Sequence, residues 1–236
     1  MGFRDTLKGM AITGRISAPT VVDALFGRIT MERCDERLAW WSRKLLDEAD
    51  VTLEVRGAEK IPDGAMVIMS NHRSYYDIPT VFCAVPGRVR MVAKKELFRV
   101  PVFGPAMLAA GFVKIDRENR HSAIASLDES KRLLQSGTRV WIAPEGTRSK
   151  DGKLGSFKSG GFHLAMGAGV PILPMALVGT EKILPHDGLA VRKGAHVTAT
   201  ILDPVDSNMF GPGSRKQLAA EVHRRIAAAL GEPGPG

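Results

Sequence analysis

The chain has 236 residues, of which 44% are hydrophobic and 25% are charged, and its formal net charge is +8. This length suits one α/β domain with an appendage, and the ordinary apolar fraction excludes wholesale disorder. The basic surplus attracts anions such as nucleic acid, anionic lipid headgroups or phosphorylated small molecules, although most of the lysines are expected to form an ordinary solvated surface.

Two other features of the composition narrow the class of protein. Cys34 and Cys83 lie far apart and lack metal-ligand spacing, so neither a disulfide framework nor a metal site is indicated and a reducing setting is the default. We find no secretory signal and no uncharged apolar stretch of about eighteen residues. We therefore expect no membrane-spanning segment. The possibility that the protein lies on a membrane surface remains.

Residues 1–50 are predicted to form amphipathic helices. Apolar residues recur at helical spacing through Thr20–Leu46, with charges between them, and Pro19 suits the entry of this helix. A shorter basic amphipathic stretch precedes it. The adjacent Trp40 and Trp41 suit a membrane interface, and they suit packing on the main domain equally well. We interpret this region as a membrane-docking element, with packing on the domain as the open alternative.

Residues 51–230 alternate between strand and helix patterns. Strands are predicted at 51–55, 65–69, 89–93, 112–115, 140–143, 170–178 and 196–202, and helices at 78–85, 102–110, 122–134, 162–166 and 215–230. This alternation predicts an α/β domain with a mixed, largely parallel sheet that is covered by helices on both faces. The Gly/Pro-rich residues 231–236 are predicted to form a flexible tail.

A histidine and an aspartate five positions apart, His72 and Asp77, follow the predicted strand at 65–69. An imidazole can take a proton from an alcohol near neutral pH if a carboxylate fixes its tautomer and stabilises the resulting cation. The pattern is short, and a surface pair or a helix start is the common alternative. The position of the pair directly after a strand favours a catalytic role, because the reactive loops of parallel sheets follow the carboxyl ends of the strands.

Two further polar segments follow predicted strands and are expected at the same edge of the sheet. Gly146, Thr147 and Arg148 supply backbone N–H groups, a hydroxyl and a guanidinium, a combination that suits a phosphate ester. Taken alone, this segment could equally be a polar turn. Arg117 follows a strand end and could form a second phosphate clamp, or only a surface ion pair with Asp116.

Taken together, the order and spacing of four segments resemble the glycerolipid acyltransferase family, specifically its 1-acyl-glycerol-3-phosphate acyltransferase type, over about residues 51–202. The matching blocks are N-H-x-x-x-x-D at Asn71 to Asp77, the block from Lys95 through Pro101, Gly104 and Gly111 to Arg117, E-G-T-R-S at Glu145 to Ser149, and Val170-Pro171-Ile172 with Pro174. Ala143 departs from the phenylalanine that the family commonly has before P-E-G. The last block is interpreted as mainly structural, or as the lining of an acyl channel or a sheet edge.

The resemblance implies a reaction in which His72 is the general base on the free hydroxyl of a lysophospholipid and Asp77 orients it. These two are the predicted catalytic residues. The alkoxide would attack the thioester of acyl-CoA or acyl-carrier protein directly, because the sequence has no G-x-S-x-G nucleophile elbow. The most direct expectation is conversion of 1-acyl-glycerol-3-phosphate to phosphatidic acid, with no cofactor and no metal.

The resemblance also implies a set of substrate-binding residues: Lys95, Arg117, Glu145, Gly146, Thr147 and Arg148. Arg117 and Arg148 would hold the acceptor phosphate, with Thr147 and the Gly146 N–H assisting. Glu145 would brace Arg148 or the loop, or bond an acceptor hydroxyl. The other histidines that we weighed, His121, His163 and His186, are assigned to surface or packing roles.

The expected setting is the cytoplasmic face of a membrane, where the protein is peripheral and has no nucleic-acid partner. Two alternatives remain open at this point. The acceptor could be another lysophospholipid or an acylated amino-acid lipid, because a phosphate clamp does not require glycerol phosphate. A nonenzymatic basic module for anionic membrane or nucleic acid would also fit the charge, but the sequence contains no recognisable nucleic-acid-binding motif.

Overall fold

The computed structural model describes residues 2–116, 120–211 and 213–233. The helices are α1 (Gly2–Leu25), α2 (Met31–Glu48), α3 (Asp77–Ala84), α4 (Phe103–Ala109), α5 (Arg120–Gln135), α6 (Gly160–Ala168), α7 (Thr180–Ile183) and α8 (Arg215–Leu230). The strands are β1 (Thr52–Arg56), β2 (Val67–Ser70), β3 (Val89–Lys94), β4 (Val113–Ile115), β5 (Arg139–Ile142), β6 (Ile172–Val178) and β7 (His196–Ile201).

The strands form one mixed sheet in the order β1-β7-β6-β2-β5-β3-β4. The five strands from β6 to β4 are parallel, whereas β7 runs antiparallel to β6 and parallel to β1. The predicted α/β fold with a largely parallel sheet is thereby confirmed. Because β6 lies inside the sheet, the interpretation of residues 170–174 as a sheet edge is wrong.

The central strand β2 shows how the sheet is covered on both faces. Met66 and Ile68 point into a core with side chains from α2, α3 and α4. Val67 and Met69 point to the opposite face, into a core with α6 and α8. All four side chains are completely buried, because successive residues of a strand alternate between two faces that both carry helices. The strand therefore holds the residues that follow it in a fixed place.

The N-terminal helices are present, but the prediction of one helix over Thr20–Leu46 is wrong. The chain turns at Gly27, where φ is +63°, and Thr30 caps α2 by accepting a hydrogen bond from the Arg33 N–H. Pro19 lies inside α1 instead of at a helix entry. A proline removes one helix hydrogen bond, and contacts between α1 and α2 offset that loss.

Several polar contacts join α1 to α2. Arg37 forms an ion pair of 2.5 Å with Asp23, and the Trp41 indole donates a hydrogen bond of 3.0 Å to Thr13. The apolar face of α2 is buried on the domain, where Leu38 contributes to the core beside α3. Tertiary packing thus overrides the local signal that Pro19 gives.

The outer face of α1 carries exposed apolar side chains. Phe3, Leu7 and Met10 follow each other at helical spacing and are 69%, 48% and 66% exposed. Among the described helices, none is both long and apolar enough to cross a bilayer. The face lies next to the basic residues Arg4 and Lys8, a pairing that is typical of helices lying in a membrane interface.

Gly104 is a structural position whose requirement for glycine can be tested. A Cβ atom there would overlap the backbone carbonyl of Phe98, and backbone cannot move aside as a flexible side chain can. We expect Gly104→Ala to lower the free energy of unfolding by about 3 kcal/mol, measured by denaturant titration. Gly167→Ala is the matched control, because a Cβ at Gly167 meets nothing within 4 Å. Equal stability of the two variants would contradict this account.

Candidate active site

The site lies at the carboxyl ends of β2 and β5, which are neighbours in the sheet. The two strands are parallel, with Met69 paired to Ile142, so the loops that follow them leave the sheet side by side. His72 is in the first loop and Glu145 in the second. The structure therefore brings together two segments that are far apart in the sequence, as expected for a parallel sheet.

His72 and Asp77 form a hydrogen-bonded pair. The His72 Nδ1 lies 2.7 Å from the Asp77 Oδ2. The Asp77 side chain is completely buried, whereas 17% of the His72 side chain is exposed. An ionised carboxylate only accepts hydrogen bonds, so Nδ1 carries the proton and the lone pair is on Nε2. The pair therefore has the arrangement of a histidine base held by a carboxylate.

Four donors fix the Asp77 carboxylate. Its Oδ2 accepts hydrogen bonds from the N–H groups of Arg73 and Ser74, at 2.7 and 2.9 Å, in addition to the His72 bond. Its Oδ1 accepts a bond of 2.5 Å from the Thr180 hydroxyl. The turn between β2 and α3 is thus wound around this carboxylate, and the imidazole is left with little freedom.

Glu145 joins the two loops at the site. Its Oε1 accepts a hydrogen bond of 2.7 Å from the His72 N–H, and its Oε2 accepts one of 2.8 Å from the Gly155 N–H. Burial raises the pKa of this carboxyl, although the two N–H donors act in the opposite direction. Of the roles that the resemblance left open, these two contacts fit Glu145 as a brace for the loop.

Arg148 lies at the cleft beside Tyr75. Its guanidinium carbon is 3.9 Å from the centre of the Tyr75 ring, a distance at which a cation is attracted to the face of an aromatic ring. Thr147 and Gly146 line the same cleft. The N–H of Gly146, however, donates a hydrogen bond of 3.0 Å to the Ala143 carbonyl. Its expected bond to a phosphate is therefore not available in this arrangement of the turn.

The remaining predicted substrate residues are placed differently. Lys95 forms an ion pair of 2.9 Å with Asp116, and it is its neighbour Lys94 that lines the cleft. The Lys95 ammonium is thus held by Asp116 at the end of β4, and its role in substrate binding stays a prediction. Arg117 lies outside the described residues.

The cleft next to His72 has a volume of about 430 Å³ and mixed polarity. Its lining includes His72, Trp141, Ala143, Lys94, Glu96, Thr147, Arg148 and His186. His186, which the sequence analysis assigned to the surface or to packing, is thus on the wall of the cleft. Ala143 is on the same wall, so the small residue that stands in place of phenylalanine leaves more room there.

A second, apolar cavity of about 510 Å³ lies next to the cleft. It lies between α1, α2, α3 and α4 and shares Tyr75, Ile78, Met91 and Leu97 with the cleft. A polar cleft beside an apolar cavity suits an amphiphile, with the polar part near His72 and the chain between the helices.

Sequence reasoning missed two residues that support the site. Thr180 binds Asp77, and Gly179 before it has a φ of +99°. Asn71, quoted only as part of a motif, holds the end of β6 through two hydrogen bonds of 2.8 Å to the backbone of Leu177. A glycine–threonine pair after a strand is a weak signal that could have suggested a helix start at Thr180.

A fold of this topology with a His–Asp pair after β2 is that of an acyltransferase. An acyltransferase family model matches residues 52–178, more than half of the chain, and the chain belongs to this family. It is similar over 169 residues to the 1-acyl-sn-glycerol-3-phosphate acyltransferase of Haemophilus influenzae, with 31% identity covering 70% of this chain and 68% of the relative.

Two further comparisons agree. A human 1-acyl-sn-glycerol-3-phosphate acyltransferase alpha is 40% identical over 184 residues, covering 77% of this chain and 65% of the relative. The crystal structure of the 1-acyl-sn-glycerophosphate acyltransferase PlsC from Thermotoga maritima is similar at a TM-score of 0.79 and 25% identity, covering 99% of this chain and 98% of that one. The chain spans about half the length of its chloroplastic relatives from Brassica napus and Arabidopsis thaliana.

Proposed function

We propose that the protein transfers a fatty acyl group from a thioester to the free hydroxyl of 1-acyl-glycerol-3-phosphate, which gives phosphatidic acid. The observation that carries this proposal is the His72–Asp77 pair, whose imidazole lines a polar cleft that lies beside an apolar cavity. A base, a basic wall and space for an acyl chain are what this reaction requires. The names of the relatives support the same acceptor.

In the proposed mechanism, the His72 Nε2 takes the proton of the acceptor hydroxyl as the oxygen attacks the thioester carbonyl. The tetrahedral intermediate then expels the thiolate, and the imidazolium returns the proton to that sulfur. The new ester bond forms as the thioester bond breaks, and no acyl-enzyme is involved. Asp77 stabilises the transient imidazolium through its contact with Nδ1.

The acceptor phosphate is assigned to the basic wall of the cleft. Arg148 lies over the Tyr75 ring, and Thr147 and Lys94 line the same space. A planar guanidinium can bind two phosphate oxygens at once, which a single ammonium group cannot do. The clamp that the sequence predicts at Arg117 stays part of the proposal.

The donor and the membrane complete the proposal. The acyl chain would occupy the apolar cavity between α1 and α4, and the donor would be acyl-CoA or acyl-carrier protein, so that no bound cofactor is needed. The exposed Phe3, Leu7 and Met10 would dock on a membrane. We place the protein on the cytoplasmic face as a peripheral enzyme, where its acceptor is dissolved in the lipid.

The function is tested by acyl transfer from labelled palmitoyl-CoA or palmitoyl-carrier protein to a panel of acceptors. The panel contains 1-oleoyl-glycerol-3-phosphate, 1-oleoyl-glycerophosphocholine, an acylated amino-acid lipid and 1-oleoylglycerol. We expect the first to be the best acceptor and the last, which lacks phosphate, to be the poorest. Preference for 1-oleoylglycerol or for the amino-acid lipid would refute the proposed acceptor, and absence of transfer to every member would refute the activity.

Arg148→Lys provides a sharper test within the same assay. Lysine keeps the charge but loses the planar fork and the stacking on Tyr75. We expect the KM for 1-oleoyl-glycerol-3-phosphate to rise about tenfold, which corresponds to about 1.4 kcal/mol of lost binding, with a smaller effect on the donor KM. Lys150→Ala is the control, since Lys150 is exposed next to this segment. An unchanged acceptor KM in Arg148→Lys would exclude the phosphate role.

A further inference from the structure

We propose that Glu232, in the segment after α8, is a positioning residue for the turn at residues 71–77 that carries His72 and Asp77. This inference rests on the proposed function of that turn. Glu232 lies outside residues 52–178, to which the family model applies. It nevertheless contacts the catalytic turn directly, through the side chain of Arg73.

The backbone of Glu232 is held in place by the end of α8. Gly231 adopts a φ of +70°, and the Glu232 N–H donates a hydrogen bond of 2.9 Å to the Ala227 carbonyl, as in a helix end closed by a glycine. The helix itself is anchored by Val222 and Ile226, both completely buried in the core beneath the sheet. Glu232, which the sequence analysis placed in a flexible tail, therefore extends from a rigid base.

The carboxylate of Glu232 connects two segments of the site. Its Oε1 lies 2.6 Å from the Arg73 Nη2, and its Oε2 accepts a hydrogen bond of 2.7 Å from the Leu154 N–H. The side chains of Arg73 and Glu232 are only 12% and 21% exposed, so solvent screens this pair less than an ordinary surface pair. One carboxylate oxygen thus binds the catalytic turn, and the other binds the loop at 149–158.

A second carboxylate bridges the same two segments one residue away on each side. Glu145 binds the His72 N–H and the Gly155 N–H, and Glu232 binds Arg73 and Leu154. The catalytic turn and the loop at 149–158 are therefore joined by these two carboxylates and by the hydrogen bond of 2.7 Å that the Ser149 N–H donates to the His72 carbonyl. The other two links hold the turn at His72, whereas the Glu232 bridge holds it at Arg73 and so restrains its rotation about His72. Rotation of the turn would carry the His72 ring away from the acceptor.

The Arg73 side chain has few other contacts to replace Glu232. Its Nε is buried and has no hydrogen-bond partner within the ranges that the structure describes. Without Glu232 the guanidinium would have to move to reach water, and its main chain is part of the turn, since the Arg73 N–H binds Asp77. A buried cation that loses its partner is costly, so we expect the movement to be transmitted to the neighbouring His72.

The kinetic test compares Glu232→Ala, Glu232→Gln, Arg73→Ala and the Arg73→Ala/Glu232→Ala double variant. We expect Glu232→Ala to lower kcat about tenfold or more, as small displacements of reacting groups do, with an acceptor KM close to that of the wild type. Glutamine keeps one acceptor oxygen and should restore part of kcat. When Arg73 is already alanine, replacing Glu232 should lower kcat by a smaller factor than it does in the wild type.

The matched control is Glu221→Ala on α8, the helix that precedes Glu232; Glu221 pairs with Arg224 and Arg225 away from the site. The melting temperature of every variant is recorded. A Glu232→Ala enzyme with wild-type kcat would overturn the proposal. The proposal would also be overturned if Glu221→Ala lost as much kcat as Glu232→Ala does. Losses of kcat that are fully additive in the double variant would overturn it as well.

Hydrogen–deuterium exchange gives a readout that does not depend on activity. In Glu232→Ala, peptides that cover 71–77 and 149–158 should exchange faster than in the wild type, whereas peptides from β7 should not change. Unchanged exchange in both segments would overturn the positioning role. If the wild-type protein transferred no acyl group, the proposed function would fail while the exchange result still tested the two bridges.

Discussion

Replacement of His72 by alanine is expected to lower kcat about 10³-fold or more, because it removes the base that takes the proton from the acceptor hydroxyl. General bases typically contribute about 10²–10⁴-fold to a rate. The donor and acceptor KM values should change far less, since the basic wall and the apolar cavity remain. The measurement is acyl transfer from palmitoyl-CoA or palmitoyl-carrier protein to 1-oleoyl-glycerol-3-phosphate, under the conditions that support wild-type turnover.

Loss of activity in His72→Ala must be separated from loss of the fold. The His72 backbone makes its bonds to Glu145 and Ser149 whatever the side chain is, so the melting temperature should stay near that of the wild type. His163→Ala is a matched control, because His163 is exposed on α6. If a folded His72→Ala protein turned over within tenfold of the wild-type rate, His72 could not be the general base.

The local part of the site could be read from the sequence. His72 and Asp77 are five positions apart, and the chain between them makes one turn from the end of β2 into α3, so their contact depends on a few torsion angles. The convergence of Glu145 on the same place follows from a general property of parallel strands, whose carboxyl ends meet at one edge. Neither inference needs knowledge of how the helices pack.

The rest of the site depends on contacts that leave no local pattern. Thr180 meets Asp77 across 103 positions of the chain, and Glu232 meets Arg73 across 159. Threonine after a strand and glutamate after a helix are common, and their partners are decided by the packing of α7 and α8. In Lys94 and Lys95 the pattern offers two adjacent cations. Which of them lines the cleft depends on tertiary contacts such as the ion pair of Lys95 with Asp116.

The same limit applies to the N-terminal helices. Pro19 is a reasonable start of a helix in the sequence, and only the contacts of α1 with α2, such as Asp23 with Arg37, extend the helix through it. The apolar cavity is likewise a product of packing, because its lining side chains come from four helices and from the segments between them. A cavity is a property of the space between elements, and no single element encodes it.

Asp77→Asn is expected to lower kcat about 10- to 1,000-fold while preserving the geometry of the turn. Asparagine can place its oxygen at the Oδ2 position, where His72, Arg73 and Ser74 donate, and its NH₂ group toward the Thr180 hydroxyl, which can turn to accept. The tautomer of His72 is then unchanged. What is lost is the negative charge that stabilises the imidazolium, typically about 1.4–4 kcal/mol.

Thr180→Val separates this charge effect from disruption of the turn. In the wild-type background, valine removes only one of the four donors to Asp77, so kcat should fall much less than in Asp77→Asn. In the Asp77→Asn background, valine leaves the buried NH₂ group without an acceptor, which should lower the free energy of unfolding by about 1–3 kcal/mol more. Wild-type turnover in Asp77→Asn would contradict the charge effect, because hydrogen bonds from a neutral side chain would then be sufficient for His72 to act as the base. A large loss of unfolding free energy in Asp77→Asn alone would mean that the Thr180 hydroxyl cannot accept a hydrogen bond from the asparagine NH₂ group. The Asp77 carboxylate would then be required for folding, and the variant would not isolate its effect on the reaction.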